Sequence, residues 1–135
     1  MWTHQESIQI AATPGRIWAL LSDVAGWPRW NSGIERIEIH GPFAAGTAFT
    51  MKVPDADAFT SRLLDVRENI SFVDETMLDD TRVVVRHEIS PVSTGMTRVT
   101  YGTEITGPDE DVLGPMVTGD FGDVLRALKS LAESA

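Results

Sequence analysis

Apolar and polar residues recur along this chain with two different periods, and the changes of period divide it into three parts. Over residues 6–12 they alternate, with Ile8, Ile10 and Ala12 on one side, as in a half-buried strand. Thr13-Pro14 then predicts a helix start, with threonine as N-cap and proline in the first turn, where its missing N–H costs nothing. Ile17, Leu20 and Leu21 give this short helix its buried side, with Trp18 beside them, and it ends before Gly26. Residues 27–33, Trp27-Pro28-Arg29-Trp30-Asn31-Ser32-Gly33, form a second turn-rich stretch, helical for a turn or two at most.

From residue 34 to 106 the period is two. Ile37 and Ile39 share a face within 34–40, and Phe49, Met51 and Val53 share one within 47–53. Stretches 59–66 and 70–77 are strand-like, but their inward faces stay open, because Leu63 and Leu64 are adjacent in the first. Asp79-Asp80 marks a turn. Two clearer strands follow: 82–89 sets Val83, Val85, His87 and Ile89 on one face, and 97–106 sets Val99, Tyr101, Thr103 and Ile105 on one face. After Gly107-Pro108 the helical period returns. Leu113, Met116, Val117, Phe121, Val124, Leu125, Leu128 and Leu131 recur at i, i+3, i+4, i+7, which predicts one long amphipathic helix over 113–135. The acidic run Asp109-Glu110-Asp111 suits its positive end. Gly114, Gly119 and Gly122 in its first half point to close-packed backbone or open space on its inner side.

Short turns join antiparallel neighbours, and a sheet with one apolar face must be covered. The only element long enough is the last helix. The expected fold is therefore α+β: about seven antiparallel strands curved around a long C-terminal helix, with two short helices after the first strand. All of it, residues 1–135, is expected to form one domain. A space remains between sheet and helix wherever side chains are too small to meet.

Composition narrows the chemistry. A net charge of −9, with only Lys52 and Lys129 beside nine arginines, repels phosphate backbones, so no nucleic acid is expected as partner. The absence of cysteine removes disulfides, zinc–thiolate sites and thiol nucleophiles. No window is long and apolar enough for a membrane span, and residues 1–6 carry neither a basic nor an apolar leader region, so a cytoplasmic protein is expected. Nothing calls for a cofactor or a metal. The oligomeric state stays open, a homodimer included.

One motif adds to this pattern. Ala12-Thr13-Pro14-Gly15-Arg16-Ile17-Trp18-Ala19-Leu20-Leu21-Ser22-Asp23, followed by Trp27-Pro28-Arg29-Trp30, resembles the START-like (SRPBCC) superfamily, specifically its polyketide cyclase/dehydrase and lipid-transport branch. There a first strand is followed by proline, an aliphatic–Trp pair, Asp and Trp-x-x-Trp. The Thr97-Arg98-Val99-Thr100 strand, Gly107-Pro108 and the final helix extend the resemblance over nearly the whole chain. It implies a helix-grip fold with a cavity for a small hydrophobic or aromatic molecule, held as carrier, sensor or enzyme. If enzymatic, the branch implies a cyclase or dehydratase, of lyase or isomerase type, acting on polyketide-like substrates. Some relatives are instead non-catalytic modules that bind a protein partner. No catalytic motif is shared across the branch, so no catalytic role carries over.

The candidate ligand-binding residues are Trp30, Phe49, Met51, Val85, His87, Val99, Tyr101, Thr103, Met116, Val117 and Phe121. By alternation His87 points inward, either as a polar anchor or proton-transfer group in an apolar pocket, or as a core histidine satisfied by a neighbour. Tyr101 and Thr103 share the face of the next strand and could meet it. Trp27 reads as a structural closure, and Trp30 as a stacking surface at the cavity mouth. Met51, Met116 and Phe121, with Phe49 on Met51's face, read as cavity wall. Asp120, near the apolar stripe between Val117 and Phe121, could contact a ligand from the pocket edge but reads better as a solvated flank.

Overall fold

The computed structural model describes residues 1–134; Ala135, the expected last residue of the terminal helix, lies outside the described residues. Seven strands form one antiparallel sheet: β1 (Trp2–Ile10), β2 (Arg36–Ile39), β3 (Ala48–Lys52), β4 (Phe59–Arg67), β5 (Ser71–Leu78), β6 (Thr81–Ser93) and β7 (Met96–Thr106). Their order is β1-β7-β6-β5-β4-β3-β2, so neighbours in sequence pair and β1 closes against the last strand. This is the helix-grip architecture. β1 begins at Trp2 rather than at residue 6, because it pairs with β7 along its length, from Trp2 opposite Ile105 to Ile10 opposite Thr97.

Helix α1 (Pro14–Ser22) starts as its sequence predicts: the Thr13 side chain accepts the Arg16 backbone N–H at 3.2 Å, with Pro14 in the first turn. Such a cap stabilises by about 1 kcal/mol. Ile17, Trp18, Leu20 and Leu21 are buried. A 3-10 helix (Val24–Arg29) follows, fixed by Trp27, whose Nε1 donates to the Leu21 carbonyl at 2.9 Å.

The single terminal helix becomes two, α2 (Glu110–Thr118) and α3 (Phe121–Glu133). α2 runs through Pro115, and the break falls after Thr118, whose hydroxyl donates back to the Gly114 carbonyl at 3.0 Å: Gly119 disfavours helix, and Asp120 leaves helical geometry at φ −105°, ψ 1°. Gly114 allows α2 to lie directly on Trp2: a Cβ there would come within 2.4 Å of the indole. α3 buries Val124, Leu125, Leu128 and Ala132 against the rest of the core.

The two ambiguous strands resolve through a β-bulge. The β4–β5 register shifts between Leu63 and Asp65, so Leu64 is the extra residue; Leu63 is fully buried and Leu64 is exposed. On β5 the inner face is Phe72, Asp74 and Thr76, while Val73 and Glu75 alternate with them and Met77 is exposed.

Candidate functional site

Between the inner face of the sheet and helices α2 and α3 lies a cavity of about 740 Å³. Strand register builds its floor. Phe72 of β5, His87 of β6 and Tyr101 of β7 stand directly opposite one another in successive pairs. Their rings form a continuous wall: Phe72 stacks on His87 at 3.9 Å and 7°, and Tyr101 meets the imidazole edge-on at 4.6 Å. The wall extends through Trp27, stacked on Phe72 at 6.0 Å, and through Phe121 of α3, edge-on to Tyr101 at 5.6 Å.

Apart from the Tyr101 phenol and the Trp27 and Trp30 indole N–H groups, the buried polar side chains of the wall lie on β4, β5 and β6, while Asn31, Asp57, Asp79 and Asp120 border the cavity from loops and the α2–α3 junction. Ser61 and Thr76 share a cross-strand hydrogen bond at 2.5 Å. Asp74, only 9% exposed, has no hydrogen-bond partner among the described residues; burial raises its carboxyl from 3.8 to about 7. Burial lowers His87 to about 3, with the Phe72 carbonyl pulling weakly the other way. That carbonyl can only accept, so the Nδ1···O contact at 3.3 Å assigns the ring proton to Nδ1 and leaves Nε2 as an acceptor. The 3.8 Å separation of His87 Nδ1 and Asp74 Oδ2 is thus not an ion pair at neutral pH: the imidazole is uncharged and the distance exceeds a hydrogen bond. Burial, then the nearby Asp74 and Asp120 carboxyls, push the Tyr101 phenol upward, so it stays protonated. The Trp30 indole N–H is buried and meets no acceptor from the described residues.

Of the residues singled out in the sequence, Trp30, Phe49, Met51, Val85, His87, Tyr101, Val117 and Phe121 line this cavity. Met116 lines it too, but at the rim, where it is 72% exposed. Val99 and Thr103 do not line it. Val99 is fully buried in the core opposite Ile8 and Ile89, and the Thr103 hydroxyl is committed to the Val84 carbonyl at 2.9 Å. Trp27 combines its structural bond with a place on the wall, and Asp120 is both exposed and on the edge of the cavity. Sequence reasoning missed Phe72, Asp74, Ser61 and Thr76. A signal for three of them existed: a two-residue turn at Asp79-Asp80 pairs Leu78 with Thr81, and counting back sets Thr76, Asp74 and Phe72 opposite Val83, Val85 and His87.

A gripped cavity with an aromatic wall and sparse polar groups defines a START-like ligand-cavity fold. The profile of the polyketide cyclase/dehydrase and lipid-transport family matches residues 1–133, and the chain belongs to that family. No curated protein matches it. Among solved structures, norcoclaurine synthase from Thalictrum flavum superposes with a TM-score of 0.81 at 17% identity, covering 99% of this chain and 87% of that one. A START superfamily protein from Mycobacterium smegmatis reaches 0.79 at 17% identity, covering 97% of each chain. The di-domain ARO/CYC protein BexL of the BE-7585A biosynthetic pathway reaches 0.79 at 15% identity, over 96% of this chain and 46% of its own. At these identities the likeness is one of fold.

Proposed function

We propose that this protein binds one small, largely apolar or aromatic molecule between the sheet and helices α2 and α3. The observation that carries this reading is the cavity of about 740 Å³ walled by Trp27, Phe72, Tyr101 and Phe121. Burying apolar ligand surface there contributes roughly 25 cal/mol per Å², and the few polar groups fix orientation. Trp27 and Trp30 are themselves on the wall, so binding reports on their emission. A titration with the neutral fluorophore N-phenyl-1-naphthylamine should saturate at one per chain and quench tryptophan fluorescence. Val85→Trp and Met51→Trp, which fill the cavity, should each weaken it by about tenfold or more while the fold survives. Equal affinity in all three proteins would contradict the reading.

A second reading is that the bound molecule is also turned over, as in cyclases and dehydratases of the family. Asp74 supports it: a buried carboxyl with a pKa of about 7 is matched to proton transfer at neutral pH, whereas His87, at about 3, is a weak base there. Its role would then be to position the substrate through Nε2. Turnover of an aldol-type polyketide mimic should lose its pH limb near 7 in Asp74→Asn and keep that limb in His87→Gln. A limb that survives Asp74→Asn excludes Asp74 as the titrating group.

A further inference from the structure

The charge of the cavity wall is one-sided. Four carboxyl groups line it, Asp57, Asp74, Asp79 and Asp120, and among the described residues no lysine or arginine does, although the chain has eleven. Asp74 alone of these four is buried, nine-tenths out of solvent and without a hydrogen bond among the described residues. His87 Nδ1 stands 3.8 Å away and is directed at the Phe72 carbonyl at 3.3 Å. A carboxylate-bearing ligand would meet four carboxyl groups and no counter-ion. A protonated amine would give Asp74 the donors it lacks, beside the electron-rich Tyr101 ring. The net charge of −9 draws cations toward the protein as a whole.

We propose that the molecule bound in this cavity is an arylalkylamine, with its ring against the Phe72–Tyr101–Phe121 wall and its ammonium group hydrogen-bonded to the Asp74 carboxylate. This rests on the ligand-binding reading above and gives it a charge class. The unliganded carboxyl is held partly neutral by burial, so amine binding must ionise it and release a proton. Of the other groups that face it, His87 on β6 stays uncharged and Tyr101 on β7 stays protonated. Asp120, at the α2–α3 junction, is raised by burial, and Asp57 and Asp79 in the flanking loops are the other carboxyl groups on the wall. From β4 only Phe59 and Ser61 line the cavity, neither of them charged.

Isothermal titration calorimetry with three ligands sharing one ring system tests this: 2-(2-naphthyl)ethylamine, 2-naphthaleneethanol and 2-naphthylacetate. At pH 8 the amine should bind about tenfold or more tighter than the alcohol, and the acid more weakly than either. Amine affinity should rise about tenfold or more from pH 5 to pH 8, while that of the alcohol moves little. Asp74→Asn should reduce the amine-to-alcohol affinity ratio towards one. If the alcohol binds but the amine binds no better, or the acid binds as well as the amine, the charge assignment is overturned and the cavity reading stands. Failure of both alcohol and amine to bind wild-type protein overturns both. The wild-type ranking and its pH dependence decide the matter even if Asp74→Asn does not fold.

Discussion

Asp74 and His87 stand on neighbouring strands and respond to burial in opposite senses. The Asp74 carboxyl moves from 3.8 to about 7 on folding, so between those values the native state holds the extra proton, and stability falls as pH rises through that window. His87 moves from 6.5 to about 3, so between those values the unfolded state holds the extra proton, and stability rises with pH. The two slopes oppose each other between about pH 4 and 6.5 and leave Asp74 as the one that destabilises the protein at alkaline pH. Asp74→Asn should therefore gain on the order of 1–3 kcal/mol over wild type at pH 8 and differ from it by under about 1 kcal/mol at pH 5, read by urea unfolding. An equal change at both pH values would contradict the burial of an ionisable carboxyl. His87 was legible from sequence because it interrupts a clean Val-x-Val-x-His-x-Ile alternation. Asp74 was not. On β5 the apolar Val73 and Met77 occupy the parity opposite to Phe72, and two inward positions, Asp74 and Thr76, are polar because they border a cavity instead of filling a core.

At the scale of elements, the strands from β6 to β7 and the cap of α1 follow directly from alternation and from Thr13-Pro14. β4 resisted reading because a bulge changes the parity at Leu64, and a period-two argument has no means of placing an extra residue. The predicted terminal helix has the right apolar stripe but not the right continuity. The stripe through Leu113, Met116, Val117 and Phe121 continues across a break, since Gly119 and Asp120 act on the backbone without disturbing side-chain spacing. Of its three glycines, Gly114 answers to close packing: its backbone lies on the Trp2 indole, where a Cβ would come within 2.4 Å. Gly114→Ala should cost about 1–3 kcal/mol despite alanine's better helix propensity, because Trp2 or α2 must shift. Gly15, at the start of α1, has nothing within 4 Å of a Cβ, and Gly15→Ala should instead stabilise by a few tenths up to about 1 kcal/mol. Thermal unfolding of the two variants side by side reads the difference in sign; a neutral or stabilising Gly114→Ala would mean α2 does not press on β1.

Across the whole molecule, the sheet, the two terminal helices and the 3-10 helix combine to leave a hollow that no single element encodes. Its existence follows in the sequence from the fold class, and most of its aromatic wall follows from strand facing. Its electrostatic character does not, because that depends on β5 and on Asp120, whose positions are set by the bulge, the hairpin register and the helix break. No described helix is long and apolar enough to cross a membrane. The most direct test of that hollow is a crystal structure of the protein soaked with N-phenyl-1-naphthylamine. The account predicts one molecule lying between Phe72, Tyr101 and Phe121, within reach of Trp30; a probe found only on the outer face of the sheet, or a site filled by these same side chains, would contradict it.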